Sequence, residues 1–121
     1  MANEITVASK MDWTSVSGEK MSATVSIKHS QVGTIAMQNV QAIGVTSEAI
    51  FLGDITDPAY ILFENVGANV INISIINPAV AATSTILLNP GGASYVEGVA
   101  TAYYAIATTA ITNLQVTAIQ R

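Results

Sequence analysis

The stretch NVINISI at residues 69–75 indicates the fold class, because its apolar and polar side chains alternate with a period of two. Successive side chains of an extended strand point to opposite faces, so Ile71, Ile73 and Ile75 should share one face. Residues 21–28, MSATVSIK, follow the same pattern, with an apolar residue at every odd position and a polar one at every even position. Both stretches therefore predict half-buried strands with one packed face and one solvated face.

The same alternation extends over much of the chain. Residues 112–119 predict a closing strand that places Leu114 and Val116 on one face. Further strand candidates are residues 60–63, 84–88 and 102–107, and weaker ones are residues 5–8, 38–45 and 49–52. Turn-forming residues separate these runs at intervals of about 8–12 residues, which is typical of sandwiches and barrels. We predict an all-β chain, an antiparallel β-sandwich of about eight short strands.

The N-terminal segment differs in composition from the rest of the chain. It contains the only tryptophan and three of the four methionines, and half of the charged residues precede position 29. We expect residues 1–30 to form an arm or first hairpin and residues 31–121 to form the sandwich, within a single domain overall. Tryptophan and methionine are enriched in interface cores, so Met11, Trp13 and Met21 are the candidate partner-interface residues. The alternative is an ordinary first hairpin whose tryptophan caps the core of its own chain.

The chain is unusually poor in charge. Charged residues make up 10% of it, against roughly a quarter in ordinary soluble domains. Between Asn65 and Gln120 the only formal charge is Glu97, and no lysine or arginine occurs from His29 to Gln120. Threonine, serine, asparagine, glutamine and alanine stand where lysine and glutamate are usual. Such a surface favours a protein fixed into an assembly over a freely dissolved enzyme.

Composition argues against several partners. The net charge of −4 and the scattered positions of the few lysines and arginines disfavour nucleic-acid binding, which needs a basic cluster facing phosphates. Residues 66–88 form the most lipid-like window, but three asparagines and Pro78 within it fit two strands and a turn better than a spanning helix, so we expect no membrane span. The chain has no cysteine, so disulfides and thiolate metal sites are excluded.

Chemical motifs are weak. The single histidine, His29, has no nearby pattern that selects a nucleophile or an acid partner. Asp54 and Asp57, flanked by Glu48 and Glu64, form a carboxylate cluster whose spacing does not match a calcium-binding EF-hand loop. We therefore predict no catalytic, cofactor-binding or metal-binding residues. Two alternatives stay open: calcium binding at this cluster, and a small hydrolase that uses His29 or the two aspartates.

Four segments together carry a resemblance to a known class of proteins. They are LGDITDPAYILFENV at residues 52–66, NVINI at 69–73, LLNPG at 87–91 and YAIA at 104–107. Their order resembles a class of small tailed-bacteriophage virion proteins, over the region from about Thr46 to the C-terminus. The resemblance implies a jelly-roll-like β-sandwich that decorates or cements a capsid, or forms part of a head fibre or tail. The absence of lysine and arginine around the sheet departs from that class.

These observations together predict a non-enzymatic structural protein of the virion. We expect a capsid decoration or cement protein on the exterior of a phage head, a homo-oligomer (most simply a trimer) that binds the major capsid protein or other virion proteins without a cofactor. The rival from another class is a binding module at a fibre or tail tip that stacks host glycans on tyrosines. The candidate tyrosines for that role are Tyr60, Tyr95, Tyr103 and Tyr104.

Overall fold

The computed structural model describes residues 3–31, 35–80, 84–98 and 100–121. These residues contain ten β-strands and no helix, which confirms the predicted all-β class. The strands are β1 (Asn3–Thr14), β2 (Lys20–Gln31), β3 (Ala36–Ile43), β4 (Glu48–Ala49), β5 (Pro58–Asn65), β6 (Ile71–Ser74), β7 (Ile86–Leu88), β8 (Ala93–Glu97), β9 (Tyr104–Ala107) and β10 (Thr112–Gln120).

The chain divides into two compact units, Met1–Val32 and Gly33–Arg121. The first contains β1 and β2, which pair antiparallel as a hairpin. The second contains two four-stranded antiparallel sheets, one in the order β3-β10-β5-β8 and the other in the order β4-β9-β6-β7. Apart from β6 and β7, neighbours in each sheet come from distant parts of the chain, and strands that follow one another in sequence mostly alternate between the sheets. That interleaving of eight strands in two sheets is the jelly-roll arrangement.

The core of the second unit lies between the inner faces of its two sheets. Phe63 is fully buried, and its ring packs against Tyr103 with the ring centroids 5.7 Å apart. Strand β10 alternates as predicted. Thr112, Leu114 and Val116 are buried, and Asn113 is exposed. The other buried apolar residues of this cluster are Ile43, Ile50, Leu52, Ile55, Ile61, Ile71, Ile73, Leu88, Ala105, Ala107 and Ala118.

Two details differ from the expectation. All four residues of β6 are buried, and Ile75 is exposed because the strand ends at Ser74, whose Oγ accepts a hydrogen bond from the Ile76 N–H at 2.9 Å. Strand β8 was not predicted. Its partner strand β5 buries alternate residues, and the register puts Ser94 opposite the buried Phe63. A serine at an inward position disguises the apolar alternation that would have revealed this strand.

Asn65 connects the segments that carry the resemblance. Its side chain is fully buried, and its Nδ2 donates hydrogen bonds to the carbonyl oxygens of Asn69 at 2.7 Å and Leu88 at 3.0 Å. Its Oδ1 accepts from the Gly67 N–H at 3.1 Å, and its backbone carbonyl accepts from the Gly91 N–H at 2.9 Å. The end of β5, the loop after it and the end of β7 are therefore held together by one amide side chain.

Candidate interaction surface

The hairpin is long and regularly paired. The register runs from Asn3 opposite Gln31 to Thr14 opposite Lys20 without a bulge, so each strand spans roughly 40 Å at the usual rise per residue. The turn closes through hydrogen bonds from Ser15 N–H to the Glu19 carbonyl at 2.7 Å and from Gly18 N–H to the Ser15 carbonyl at 3.0 Å. Gly18 has a φ of 89°, a conformation that glycine adopts at little cost.

The two faces of the hairpin differ sharply in chemistry. Because paired residues of an antiparallel ladder share a face, Trp13 lies beside Met21 and Met11 lies beside Ala23. We call this side the apolar face, and its described members are Ile5, Val7, Ser9, Met11, Trp13, Met21, Ala23, Val25 and Ile27. The other side is the polar face, and its described members are Thr6, Ala8, Lys10, Asp12, Thr14, Lys20, Ser22, Thr24, Ser26 and Lys28.

The apolar face is largely open to solvent. Met11 is 74% exposed, Met21 64%, Trp13 50% and Val25 50%. The strand predicted at residues 21–28 is confirmed by β2, but the packed face predicted for it is wrong, because Met21, Ala23 and Val25 are exposed. The structure groups the three predicted interface residues in one patch and adds Val25, which sequence reasoning left out although its odd position signals the same face.

Within the hairpin strands β1 and β2, the charged side chains that the structure describes lie on the polar face. Lys10 Nζ lies 3.2 Å from Asp12 Oδ2, and Ser22 Oγ donates a hydrogen bond to Asp12 Oδ1 at 2.6 Å. The pair is exposed and contributes little to stability, but it keeps this face hydrated. The described side chains of the apolar face carry no charge, so covering them requires no charge to be desolvated. The register also puts His29 on this side, opposite Ile5, and its side chain lies outside the described part of the structure.

Solvent exposure of these apolar side chains has an energetic cost. Two strands without further packing are marginally stable in water at best. Burying a side chain the size of methionine stabilises a protein by about 1.5–3 kcal/mol. Because Met11, Trp13 and Met21 are exposed, much of this stabilisation is missing. These exposed side chains are therefore the candidates for contact with another apolar surface.

Two of the carboxylates considered for catalysis or calcium binding have other partners. Asp57 Oδ2 lies 3.5 Å from Arg121 Nε. Glu48 Oε1 accepts a hydrogen bond from Gln41 Nε2 at 3.1 Å. Within residues 3–31, 35–80, 84–98 and 100–121, no three histidine, aspartate or glutamate side chains gather in a group that could hold a metal ion. His29 lies in β2 opposite Ile5, and the prediction for its side chain falls outside the described part of the structure.

The four tyrosines considered for glycan stacking do not share one surface. Tyr60 and Tyr95 stack on each other with ring centroids 6.3 Å apart and planes 10° apart. Tyr103 is buried in the core, and Tyr104 belongs to the opposite sheet. Burial raises the pKa of the Tyr95 phenol above its ordinary value, and the negative charge of Glu97 raises it further, as does Tyr60.

Comparison with family models, with curated protein sequences and with solved structures finds no match to this chain. The resemblance to small virion proteins of tailed phages therefore stays a prediction. Among the residues that the structure describes, no helix is long and apolar enough to cross a membrane.

Proposed function

We propose that this chain is a non-enzymatic structural protein of a phage virion, a decoration or cement protein that acts as a homo-oligomer, most simply a trimer, on the capsid exterior. The observation that carries the proposal is the exposed, uncharged apolar face of the hairpin. A protein that works alone in solution gains nothing from leaving Met11, Trp13 and Met21 uncovered. A protein that is assembled from several copies uses such a face to hold them together.

The jelly-roll unit supports the same proposal. Jelly rolls recur among viral capsid domains, although they also occur in lectins and cupins, so the fold by itself is only compatible with a virion role. The outward positions of the sheet β3-β10-β5-β8 include Gln38, Val40, Leu62 and Thr117. Val40 and Leu62 are exposed there. Removing amides and hydroxyls from water costs less free energy than removing charged groups. This sheet can therefore pack against a shell of other proteins at modest cost.

The rivals have weaker support. A glycan site would rest on the stacked pair of Tyr60 and Tyr95, whose rings already face each other rather than an open platform. A hydrolase would need partners for Asp54 and Asp57, and Asp57 is engaged by Arg121. Neither arrangement offers the contiguous uncovered surface that the hairpin does.

The experiment that tests the proposal has two parts. Native mass spectrometry of the purified protein should give a closed oligomer, and peptide mass spectrometry of phage particles purified from the source culture should detect this chain at a copy number comparable to that of the major head protein. A protein that stays monomeric at high concentration and is absent from the particles would contradict the proposal. An oligomer that is absent from particles would contradict the virion assignment alone.

A further inference from the structure

We infer that the apolar face of the hairpin binds the same face of another copy of this chain, with the hairpins parallel and their turns at the same end. The inference rests on the proposed function only in its assumption that the chain self-assembles. It identifies the surface and the partner, and it does not depend on the particle that the assembly joins.

The positive and negative charges of the hairpin balance. Residues 3–31 contain three lysines (Lys10, Lys20 and Lys28) and three carboxylates (Glu4, Asp12 and Glu19), so the hairpin segment is formally neutral. The net charge of −4 therefore belongs to the remainder of the chain. Two copies repel each other least where they meet at their hairpins. An anionic surface, such as a lipid membrane, would instead favour a hairpin with excess positive charge.

The apolar face exposes a substantial area to solvent. The four most exposed side chains of the apolar face expose roughly 500 Å² when their exposed fractions are applied to ordinary residue areas. With the flanking Ala23 this comes to roughly two thirds of the about 800 Å² per partner of a standard interface, which matches the low end of specific interfaces. Ribbons whose apolar faces turn towards a common symmetry axis, at the usual sheet separation of about 10 Å, cover one another's exposed side chains.

The uneven exposure along the hairpin fixes the orientation. Exposure is concentrated towards the turn, in Met11, Trp13 and Met21, while Ile5 and Ile27 at the other end are half-buried. A parallel arrangement brings the exposed end of one hairpin against the exposed end of another. It also places thioether sulfurs beside indole rings, a favourable contact. An antiparallel arrangement would leave much of the exposed end uncovered.

The test compares two double variants of the full chain. Met11→Thr with Met21→Thr removes apolar area from the apolar face, and Lys10→Thr with Lys20→Thr makes the same replacement at the preceding positions on the polar face. By sedimentation equilibrium, the methionine variant should associate at least about 100-fold more weakly than the wild type, and the lysine variant within about threefold of it. Circular dichroism checks that both variants keep their β-structure.

Trp13 provides a second readout, because it is the only tryptophan. Its emission should shift to the blue on assembly in the wild type and the lysine variant, and stay red in the methionine variant at the same concentration. If the methionine variant loses β-structure, the concentration dependence of Trp13 emission in the wild type decides the question instead. A wild-type oligomer whose Trp13 emission is the same as in the dilute monomer overturns the inference.

Orientation is tested by cross-linking, since the chain has no native cysteine. Val16, at the turn, is fully exposed, so Val16→Cys places a thiol at the tip. A bismaleimide that spans about 10 Å should link copies through this position and leave the polar-face variant Thr24→Cys unlinked. Failure of Val16→Cys to link within a demonstrated oligomer overturns the parallel arrangement.

The two proposals fail in different ways. Wild-type and methionine-variant oligomers of equal stability overturn the inferred surface, whatever the particles contain. A strictly monomeric wild type overturns the inferred surface and the homo-oligomeric part of the proposed function together. An oligomer that dissociates as expected, but that is missing from phage particles, supports the inference and contradicts only the virion assignment.

Discussion

Replacing Asn65 with aspartate should destabilise the jelly-roll unit severely, although the two side chains have nearly the same shape. The Nδ2 of Asn65 donates to the carbonyl oxygens of Asn69 and Leu88, and the side chain is fully buried. In Asn65→Asp both donations are lost, and a carboxylate oxygen faces two carbonyl oxygens instead. Each buried carbonyl left without a donor costs about 1–3 kcal/mol, so we expect a loss of about 4 kcal/mol near pH 7.

That loss is large for a domain whose total stability is about 5–15 kcal/mol. Urea unfolding followed by circular dichroism measures it, and the melting temperature should fall by about 15–25 °C. The matched control is Asn113→Asp, which makes the same chemical change at an exposed position of β10 and should alter stability by less than about 0.5 kcal/mol.

The pH dependence provides an independent check. Burial and the neighbouring carbonyl dipoles raise the pKa of the introduced carboxyl in the folded state above its unfolded value of about 3.9. The folded variant then holds its proton more tightly than the unfolded chain does. Its stability therefore falls as pH rises from about 4 through the folded pKa, so the deficit relative to wild type should shrink on acidification. A loss below about 1 kcal/mol, or a deficit that grows towards pH 4, would refute the role assigned to Asn65.

Further predictions concern packing, ionisation and assembly. In Gly67→Ala the new Cβ would collide with Thr112 Oγ1 and come within 2.7 Å of a backbone nitrogen, so urea unfolding should show a loss of about 2–3 kcal/mol, whereas Gly44→Ala, which meets only Glu48 Oε2 at 3.7 Å, should be tolerated. Tyr95→Phe should leave stability unchanged or slightly higher, because Tyr95 Oη is buried and has no hydrogen-bond partner among the described residues. Since its pKa is raised in the folded state, the wild type should lose stability as pH rises above about 10, and the variant should lose less in alkaline urea titrations. Raising the salt concentration from about 0.05 M to about 1 M should weaken assembly by less than about threefold in sedimentation experiments, because little of the cohesion comes from screened ion pairs.

The sequence predicts those strands that have one face in the core and the other in water. Residues 112–119 were correctly predicted for this reason, since their side chains alternate between Leu114 and Val116 inside and polar residues outside. Strand β6 was located correctly, but its full burial was not foreseen, because Asn72 and Ser74 are buried as well as the isoleucines. The local sequence pattern shows which residues are apolar and which are polar. Burial of the second face depends instead on loops that come from elsewhere in the chain.

The candidate surface was only partly predictable. The enrichment of tryptophan and methionine identified Met11, Trp13 and Met21, but their grouping depends on the register, which the turn at residues 15–19 sets. The contacts of Asn65 were beyond prediction, since they join it to Leu88 and Gly91, far along the chain. That these hairpin residues bind a partner stays a prediction.

In the inferred assembly, the placement of charge on the hairpin would restrict association to one face and limit aggregation. A two-stranded ribbon has two unpaired edges, and long uncharged edges tend to pair with other chains without limit. Lys10, Lys20 and Lys28 recur along the polar face, where any stacking of ribbons on that side would desolvate them. The inferred association would therefore use the apolar face alone, and an assembly through a single face closes once that face is covered. Replacing these lysines with threonine should accordingly leave the specific interface intact but increase turbidity at high protein concentration. An equally soluble variant would mean that the lysines do not protect the edges.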